Sequence, residues 1–344
     1  MGTKTVAVST DDITYNTLPG NSGELNNEAG AIDDTIFGQA YKSSETGLIN
    51  WGVKAPAFFK GYAGYLAKIK KQGTSTVMTT EAMTLVSGKT YKITNTAKNV
   101  WNNTVAPTVF DNGVNQTANV LSINYLFGQI TFKASYTPTG PVTVTGAYYP
   151  TVTLGSTMSY TLTQTAEAVE NTAFDVAQSN GGYRTYTGGL KTVSLELGGF
   201  YNISSALRAA LQARGTFLIE IDPSGTGKSV ARGFFKLLKD DQSGDVGALE
   251  EESVNFELQV PASDYVPYGW MHDATTTLHT SIQQTLAAWE NSTSINVKYL
   301  YDGTNGIKGS AIVTDVTLSS GLDNMNEFQA SFQGSGAQTV VGTG

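Results

Sequence analysis

The chain has 344 residues, 40% of them apolar, which is enough for one large β domain or for two or three smaller domains. It has no cysteine and two histidines, which excludes disulfides and thiolate zinc sites and leaves little for histidine-based metal binding. The formal charge of −8 argues against a protein that grips nucleic-acid phosphates, because that task needs clustered Lys and Arg. No run approaches the roughly 18 apolar residues of a membrane span, so we expect no membrane association.

The first segment, residues 1–34, is polar and rich in turn-forming residues, with the stretch LPGNSGELNNEAG at its centre. Such a composition cannot build a core of its own and predicts an N-terminal arm or long loop. Two interpretations stay open: a disordered terminus, or a segment that becomes ordered against a neighbouring subunit.

The next segment carries a pattern that occurs twice. Residues 35–74 alternate as a strand through Trp51, reach the aromatic pair Phe58-Phe59, and then take helical spacing at Leu66 and Ile69. Residues 172–216 show the same order. The matching positions there are the alternating Val193 and Leu195, the pair Phe200-Tyr201, and the helical Ile203, Leu207 and Leu211. Two segments with equal spacings predict a duplicated strand–helix unit.

Residues 80–153 have a different pattern, with short alternating strands separated by Gly and Pro turns. We therefore predict a small inserted β module on the outside of any assembly. Its aromatic residues suggest a carbohydrate platform, but aromatics at alternate strand positions more often pack in a core. They are Tyr125, Phe127, Phe132, Tyr136, Tyr148 and Tyr149.

The remaining sequence completes two domains. Residues 154–262 contain a strand, the second strand–helix unit and two further strands, which predicts one continuous domain. Residues 263–344 contain a helix from about Thr277 to Trp289 and strands in the same order. We predict that they complete a split domain with residues 35–79, around the continuous one.

One stretch imitates a phosphate-binding loop. DPSGTGKS at 222–229 follows a predicted strand and ends in Lys228-Ser229. A phosphate-binding loop requires glycine where Asp222 stands and must open a helix, whereas the residues after Lys228 alternate as a strand. We interpret the stretch as a hairpin turn.

Other candidate sites are equally unsupported. His272 and His279 are too few for a metal site, and we place His272 outside the helix. An acidic stretch lacks the glycine spacing of a calcium loop, so we interpret it as a solvated or lumen-facing surface. It comprises Asp240, Asp241, Asp245, Glu250, Glu251 and Glu252. We therefore predict no catalytic, cofactor-binding or metal-binding residues, and no enzyme.

Short motifs from distant parts of the sequence resemble one family. They are D-T-x-F-G at Asp34–Gly38, G-L-x-x-W at Gly47–Trp51, G-x-A-x-V-T-D-V-x-L-S-S-G at Gly309–Gly321 and F-Q-A-S-F-x-G-S-G at Phe328–Gly336. Together with the aromatic pair and the short helix, they resemble the tail tube proteins of long-tailed bacteriophages. The resemblance covers residues 35–74 and 155–336 and leaves residues 80–153 outside.

The resemblance implies a fold, an assembly and partners. Such subunits form a β-sandwich flanked by a helix and assemble as rings, stacked into a tube whose acidic lumen lets genomic DNA pass without specific binding. It implies a structural protein of the virion tail, assembled in the host bacterial cytoplasm. Its implied partners are copies of itself and the tape-measure, tail-terminator and baseplate proteins.

The duplication adds expectations of its own. We predict a mainly β fold with a few short helices, built from duplicated β-sandwich domains and the inserted module. Three chains with two such domains each would close a ring with pseudo-sixfold symmetry. A true hexamer stays open, because the outer pieces hold two candidate helices where the middle piece holds one. The alternative from another class is a glycan-binding or adhesion module of a virion or surface appendage.

Overall fold

The computed structural model describes most of the chain. The described residues are 4–20, 22–33, 44–59, 67–173, 182–201, 209, 212–223, 227–243, 251–259, 267–273, 278–320 and 326–342. The predicted mainly β, multi-domain fold with little helix is confirmed. Within these residues, none of the helices is long and apolar enough to cross a membrane.

The strands vary from two residues to twenty. In chain order they are β1 Thr5–Ser9, β2 Asn16–Thr17, β3 Glu24–Asp33, β4 Ser44–Phe59, β5 Ala67–Gln72, β6 Thr76–Ser87, β7 Thr90–Ile93, β8 Thr108–Asp111, β9 Val114–Asn115, β10 Val120–Asn124, β11 Gln129–Phe132, β12 Val142–Tyr148, β13 Thr151–Glu170, β14 Tyr186–Tyr201, β15 Thr216–Ile221, β16 Ser229–Ser243, β17 Glu251–Leu258, β18 Tyr268–His272, β19 Ile295–Leu300, β20 Gly306–Ser320 and β21 Asn326–Val341. The helix α1 is Thr280–Asn291 and lies between β18 and β19. Short 3-10 turns occupy Thr96–Lys98 and Thr117–Asn119.

The chain divides into two compact units. The first comprises Met1–Gly61, Thr161–Ser194 and Leu278–Gly344, and the second comprises Tyr62–Tyr160 and Leu195–Thr277. Strands β13 and β14 each contribute residues to both units. The domain boundaries inferred from the sequence remain predictions.

Two series of five strands have the same order. The first series is β1–β19–β20–β21–β4, and the second series is β5–β15–β16–β17–β14. Corresponding members match in length at three places: β4 and β14 have 16 residues, β15 and β19 have six, and β16 and β20 have 15. Both β4 and β14 end on an aromatic pair, Phe58-Phe59 and Phe200-Tyr201.

The two series also share their register. Corresponding rows of residues across the first three strands of each series are Val8–Val297–Gly309 and Ile69–Ile219–Gly233. In both series the row that contains Gly309 or Gly233 is followed by additional residues in the strand that pairs with β20 or β16. In the first series, Gly309 and Ala311 lie opposite Gln338 and Gly334. In the second series, residues 259–267 stand between β17, which pairs with Phe235, and β18, which pairs with Gly233.

A second irregularity falls at the same place in both series. The pairing of β20 with β21 shifts between Val313 and Asp315, and that of β16 with β17 shifts between Leu237 and Lys239. Each shift begins four residues after the glycine of the shared row. A bulge is a specific local feature of a strand pair, so its recurrence at one position indicates a structural duplication.

The sequence pattern explains why these segments form strands. In β19 the burial alternates strictly, with Ile295, Val297 and Tyr299 buried and the residues between them partly exposed. Successive side chains of a strand point to opposite faces, so this alternation places one face on the core. The helix α1 buries Ile282 and Leu286, and its predicted position is confirmed with a start three residues later.

A separate seven-stranded sheet lies between β5 and β13. Its order is β10–β11–β7–β6–β12–β8–β9, and it belongs to the second unit. We call it the module. Its core includes Trp101, Phe132, Met78, Val109 and Val144.

Two local predictions differ from the structure. Ile69 was assigned helical spacing, but it lies in strand β5, so that assignment is wrong; Leu66 falls outside the described residues. The arm predicted at residues 1–34 contains β1, β2 and β3, and β3 pairs with β4 along its length. In the second strand–helix unit, Ala209 and Gln212 are helical, and Ile203, Leu207 and Leu211 are outside the described residues.

Candidate assembly site

Three of the four motifs that carry the family resemblance meet around Trp51 in the first unit, and the fourth, at 34–38, lies outside the described residues. Trp51 is 2% exposed, and its indole Nε1 donates to the carbonyl of Gly336 at 3.0 Å. A Cβ on Gly334 would lie 2.0 Å from the ring, and one on Gly309 would lie 2.6 Å from it. The glycines of the two C-terminal motifs therefore leave the space that the tryptophan of the N-terminal motif fills.

The segment 182–186, which we call the strap, is tied to the same place. The N–H of Arg184 donates to the carbonyl of Ile49 at 2.9 Å, and the carbonyl of Arg184 accepts from the N–H of Gly336 at 2.8 Å. The Ser335 hydroxyl accepts from the N–H of Tyr186 at 2.8 Å. Residues 174–181, which precede the strap, lie outside the described residues.

The acidic stretch lies on the hairpin of β16 and β17. Asp240 and Asp241 are opposite Val254 and Ser253, and Glu252 is opposite Gln242. Glu251 begins β17, while Asp245 and Glu250 lie outside the described residues. The hairpin therefore gathers several acidic positions on successive rungs of one strand pair.

A buried ion cluster joins the module to β15 and β16 within the second unit. Arg232 is 5% exposed, and its Nη2 donates to Glu220 Oε2 at 2.7 Å. Lys70 Nζ donates to the same oxygen at 2.9 Å. Arg232 Nη1 also donates to the carbonyl of Leu126 in the module, and the guanidinium lies over the Phe127 ring at 4.8 Å.

Electrostatics and apolar packing support this junction together. Burial raises the pKa of Glu220, but the charges and hydrogen bonds of Arg232 and Lys70 outweigh it and hold the pKa below its ordinary value. Burial, reinforced by repulsion from Arg232, lowers the pKa of Lys92. An apolar cluster accompanies the ions and contains Val100, Leu126, Phe127, Leu218 and Val230. The module is therefore a docked lobe rather than a loosely tethered one.

No motif in the sequence marks this junction. Arg232 and Glu220 occupy alternating strand positions that carry no motif, and the Leu126 carbonyl is 106 residues away in sequence. The one available signal is Glu220, a charge in the otherwise largely apolar strand β15, since a buried charge needs a partner.

The structure also distinguishes between a phosphate-binding loop and a hairpin turn at residues 222–229. Asp222 and Pro223 follow β15, residues 224–226 lie outside the described residues, and Ser229 begins strand β16. Lys228 therefore precedes a strand instead of opening a helix, and the Asp222 carboxylate accepts from the N–H of Gly227. These are features of a hairpin turn, as predicted, and they provide no helix N-terminus for a phosphate.

The two histidines belong to different units of the chain. His272 is in β18, as expected outside the helix, and its Nδ1 is 3.1 Å from the hydroxyl of Ser229. Burial lowers the pKa of His272 to about 4. Ser229 is fully buried, so its hydroxyl is not accessible to a substrate. His279 precedes α1 and contacts Ser281, and the described residues contain no group of three potential metal ligands.

The aromatic residues of the module pack in its core or at its junction with β15 and β16. Phe127 and Phe132 are buried, and Tyr91 meets Phe132 edge to face with ring centroids 5.7 Å apart. Tyr136 packs on Phe132, and its hydroxyl donates to the buried Asp111 at 2.7 Å. Tyr125 and Tyr148 are partly buried against the same core. These rings do not form an exposed platform for sugars.

Comparisons with known proteins give little. The search of protein-family models found no match, and the search of curated proteins found none. Among solved structures, the chain is similar to one described as the tail of an empty GTA particle, computed with helical refinement and C6 symmetry. The identity is 15%, the TM-score is 0.29, and the match covers 36% of this chain and 87% of that chain. A TM-score this low carries no argument about fold or function.

Proposed function

We propose that this chain is a structural protein of a virion tail, whose copies assemble into stacked rings that form the tail tube. The observation that carries the proposal is the duplicated series of strands, which agree in order, register and bulge position. A chain with two equivalent halves presents two similar surfaces, so three copies can close a ring of six similar units. The resemblance of the motifs around Trp51 to tail tube proteins supports the same function.

The acidic composition suits a conduit for DNA. Each inward Lys or Arg would gain affinity for phosphates by releasing counterions, and bound DNA would not move freely. We propose that the β16–β17 hairpin, with Asp240 and Asp241, contributes to an acidic lumen through which DNA passes without specific binding.

We propose no catalytic role and no cofactor. The hydroxyl of Ser229 beside His272 is buried, and residues 227–228 lead into a strand. A glycan-binding role is not favoured either, because the aromatic rings of the module pack in its core or at its junction with β15 and β16. By resemblance, the further partners are the tape-measure, tail-terminator and baseplate proteins, and assembly takes place in the host bacterial cytoplasm.

Electron microscopy of the purified full chain tests the proposal. We expect rings or tubes that grow with protein concentration, and an inner wall with an excess of Asp and Glu. A protein that stays monomeric at every concentration would contradict the tube. Rings with a net positive inner wall would contradict the acidic lumen alone.

A further inference from the structure

Strand β20 has described partners on both of its edges. Strand β21 pairs with β20 from Gly306 to Ser319 along one edge. Strand β19 pairs with residues 306–311 of β20 along the other edge. Strand β13 also pairs with β20. A strand has two edges, so β13 must pair with the remaining part of the edge that β19 leaves open.

The equivalent strand β16 lacks such a partner. β17 and β18 pair along one of its edges, and β15 occupies residues 231–236 of the other. Among the described strands, none pairs with residues 237–243 on that second edge. Leu238 lies on this stretch and is 60% exposed.

Strand β3 is the equivalent of the part of β13 that lies in the first unit. Each precedes the long strand of its series, β4 or β14, and pairs with it. Glu28 lies opposite Asn50, and the hydroxyls of Thr165 and Thr192 are 2.5 Å apart. Asn50 lies as many residues before the last residue of β4 as Thr192 lies before the last residue of β14. Glu28 of β3 therefore corresponds to Thr165 of β13.

The second edge of β3 is open. In the described part of the chain β3 pairs with β4 alone, and residues 26–30 are exposed. A long edge strand with unpaired N–H and C=O groups is a template for pairing with another chain. The strand carries no proline or lysine, which are common means of blocking such pairing.

We propose that the open edge of β3 in one copy pairs with residues 237–243 of β16 in a second copy. This contact repeats between chains the joint that β13 makes with β20 within a chain. Around a ring of three copies, three β13–β20 pairings within chains then alternate with three β3–β16 pairings between chains. Every β3 and every β16 in the ring is then paired. The inference rests on the proposed ring assembly and names its interface.

Engineered disulfides test the interface against a clean background, because the chain has no cysteine. We combine Glu28→Cys with Leu238→Cys, and as a second register Asn26→Cys with Leu238→Cys. Paired strands bring Cα atoms to the distance that a disulfide needs. The matched control is Glu28→Cys with Lys236→Cys, because β15 and β17 already pair with Lys236 on both edges. We expect oxidised rings of at least one test pair to run as covalent trimers under denaturing conditions, and the control to run as single chains.

The outcomes distinguish a wrong interface from a wrong ring assembly. Rings that form without cross-links in either test pair, or with equal cross-links in the control, overturn the interface and leave the tube intact. Absence of rings overturns both. Hydrogen exchange on the unmodified protein gives a second reading: amides 26–30 and 237–243 should exchange at least about tenfold more slowly in rings than in monomers, and equal rates would contradict the interface.

Discussion

At the scale of single residues, Trp51 explains the glycines of the C-terminal strands. Its ring lies against the backbone of Gly309 and Gly334, and its N–H is satisfied by the Gly336 carbonyl. A large ring in a well-packed core tolerates no extra methyl beside it. The packing of Trp51 in the first unit therefore requires glycine at these positions of the motifs.

Adding one methyl group at Gly334 tests this packing. We expect Gly334→Ala to lower the free energy of unfolding by about 1–3 kcal/mol, because its Cβ would overlap the indole. Gly30→Ala is the control, since its Cβ would come no closer than 3.9 Å to the Leu48 carbonyl. Urea denaturation measures both. The cost of Gly334→Ala should nearly vanish in a Trp51→Ala background, and an undiminished cost there would contradict the account.

Arg232 and Lys308 occupy equivalent positions in the two series, one residue before the glycine of the shared row. Arg232 is buried with Glu220, whereas Lys308 forms an exposed ion pair with Asp12. We expect Arg232→Ala to cost about 3–5 kcal/mol, because Glu220 stays buried with fewer partners. Lys308→Ala should cost less than about 1 kcal/mol. Chemical denaturation compares the two, and equal costs would contradict a structural role for the buried cluster.

At the scale of elements, long periodic segments were predictable and short polar ones were not. The helix α1 and the strands ending in aromatic pairs follow from their spacing. Ile69 was misread because Leu66 and Ile69 fit a helical period, while Ala67 and Ile69 also fit a strand period. Ala67 and Ile69 are buried and Lys68 is exposed, so pairing with β15 and β13 decided between the periods.

Strand β3 shows a second limit of sequence reasoning. Its residues 26–30 are exposed, so no alternation of apolar and polar residues marks the strand. Its conformation depends on backbone pairing with β4, a partner that composition does not reveal. The module was predictable as a β element, but its docking through Arg232 was not, because the contact joins residues far apart in sequence.

Removing the module tests whether it is a separate lobe. The ends of β5 and β13 are close, with the N–H of Gly73 donating to the carbonyl of Pro150 at 2.8 Å. We therefore replace residues 74–149 by a short Gly-Ser linker. Residues 151–153 must stay, because they pair with β5.

The deletion exposes the apolar surface on which the module docks. We expect the plain deletion to aggregate, and a version with Leu218→Thr and Val230→Thr to stay soluble and to form rings. Size-exclusion chromatography and electron microscopy measure the result. A folded, soluble deletion that forms no rings would mean that the module belongs to the tube wall.

At the scale of the whole molecule, the duplication is nested. The strands of the first series come from both ends of the sequence, and those of the second series lie between them. The inference from sequence that the N- and C-terminal pieces meet is compatible with the pairing of β4 with β21. Residues 67–72, which the sequence placed in the split domain, form the first strand of the second series. The strand pairing shows this grouping, and the sequence pattern does not.

The number of chains in one ring tests the central claim most directly. Native mass spectrometry of isolated rings gives this number without a structural model, and image symmetry checks it independently. The account predicts three chains, because each chain supplies two equivalent series of strands. Six chains per ring would contradict it.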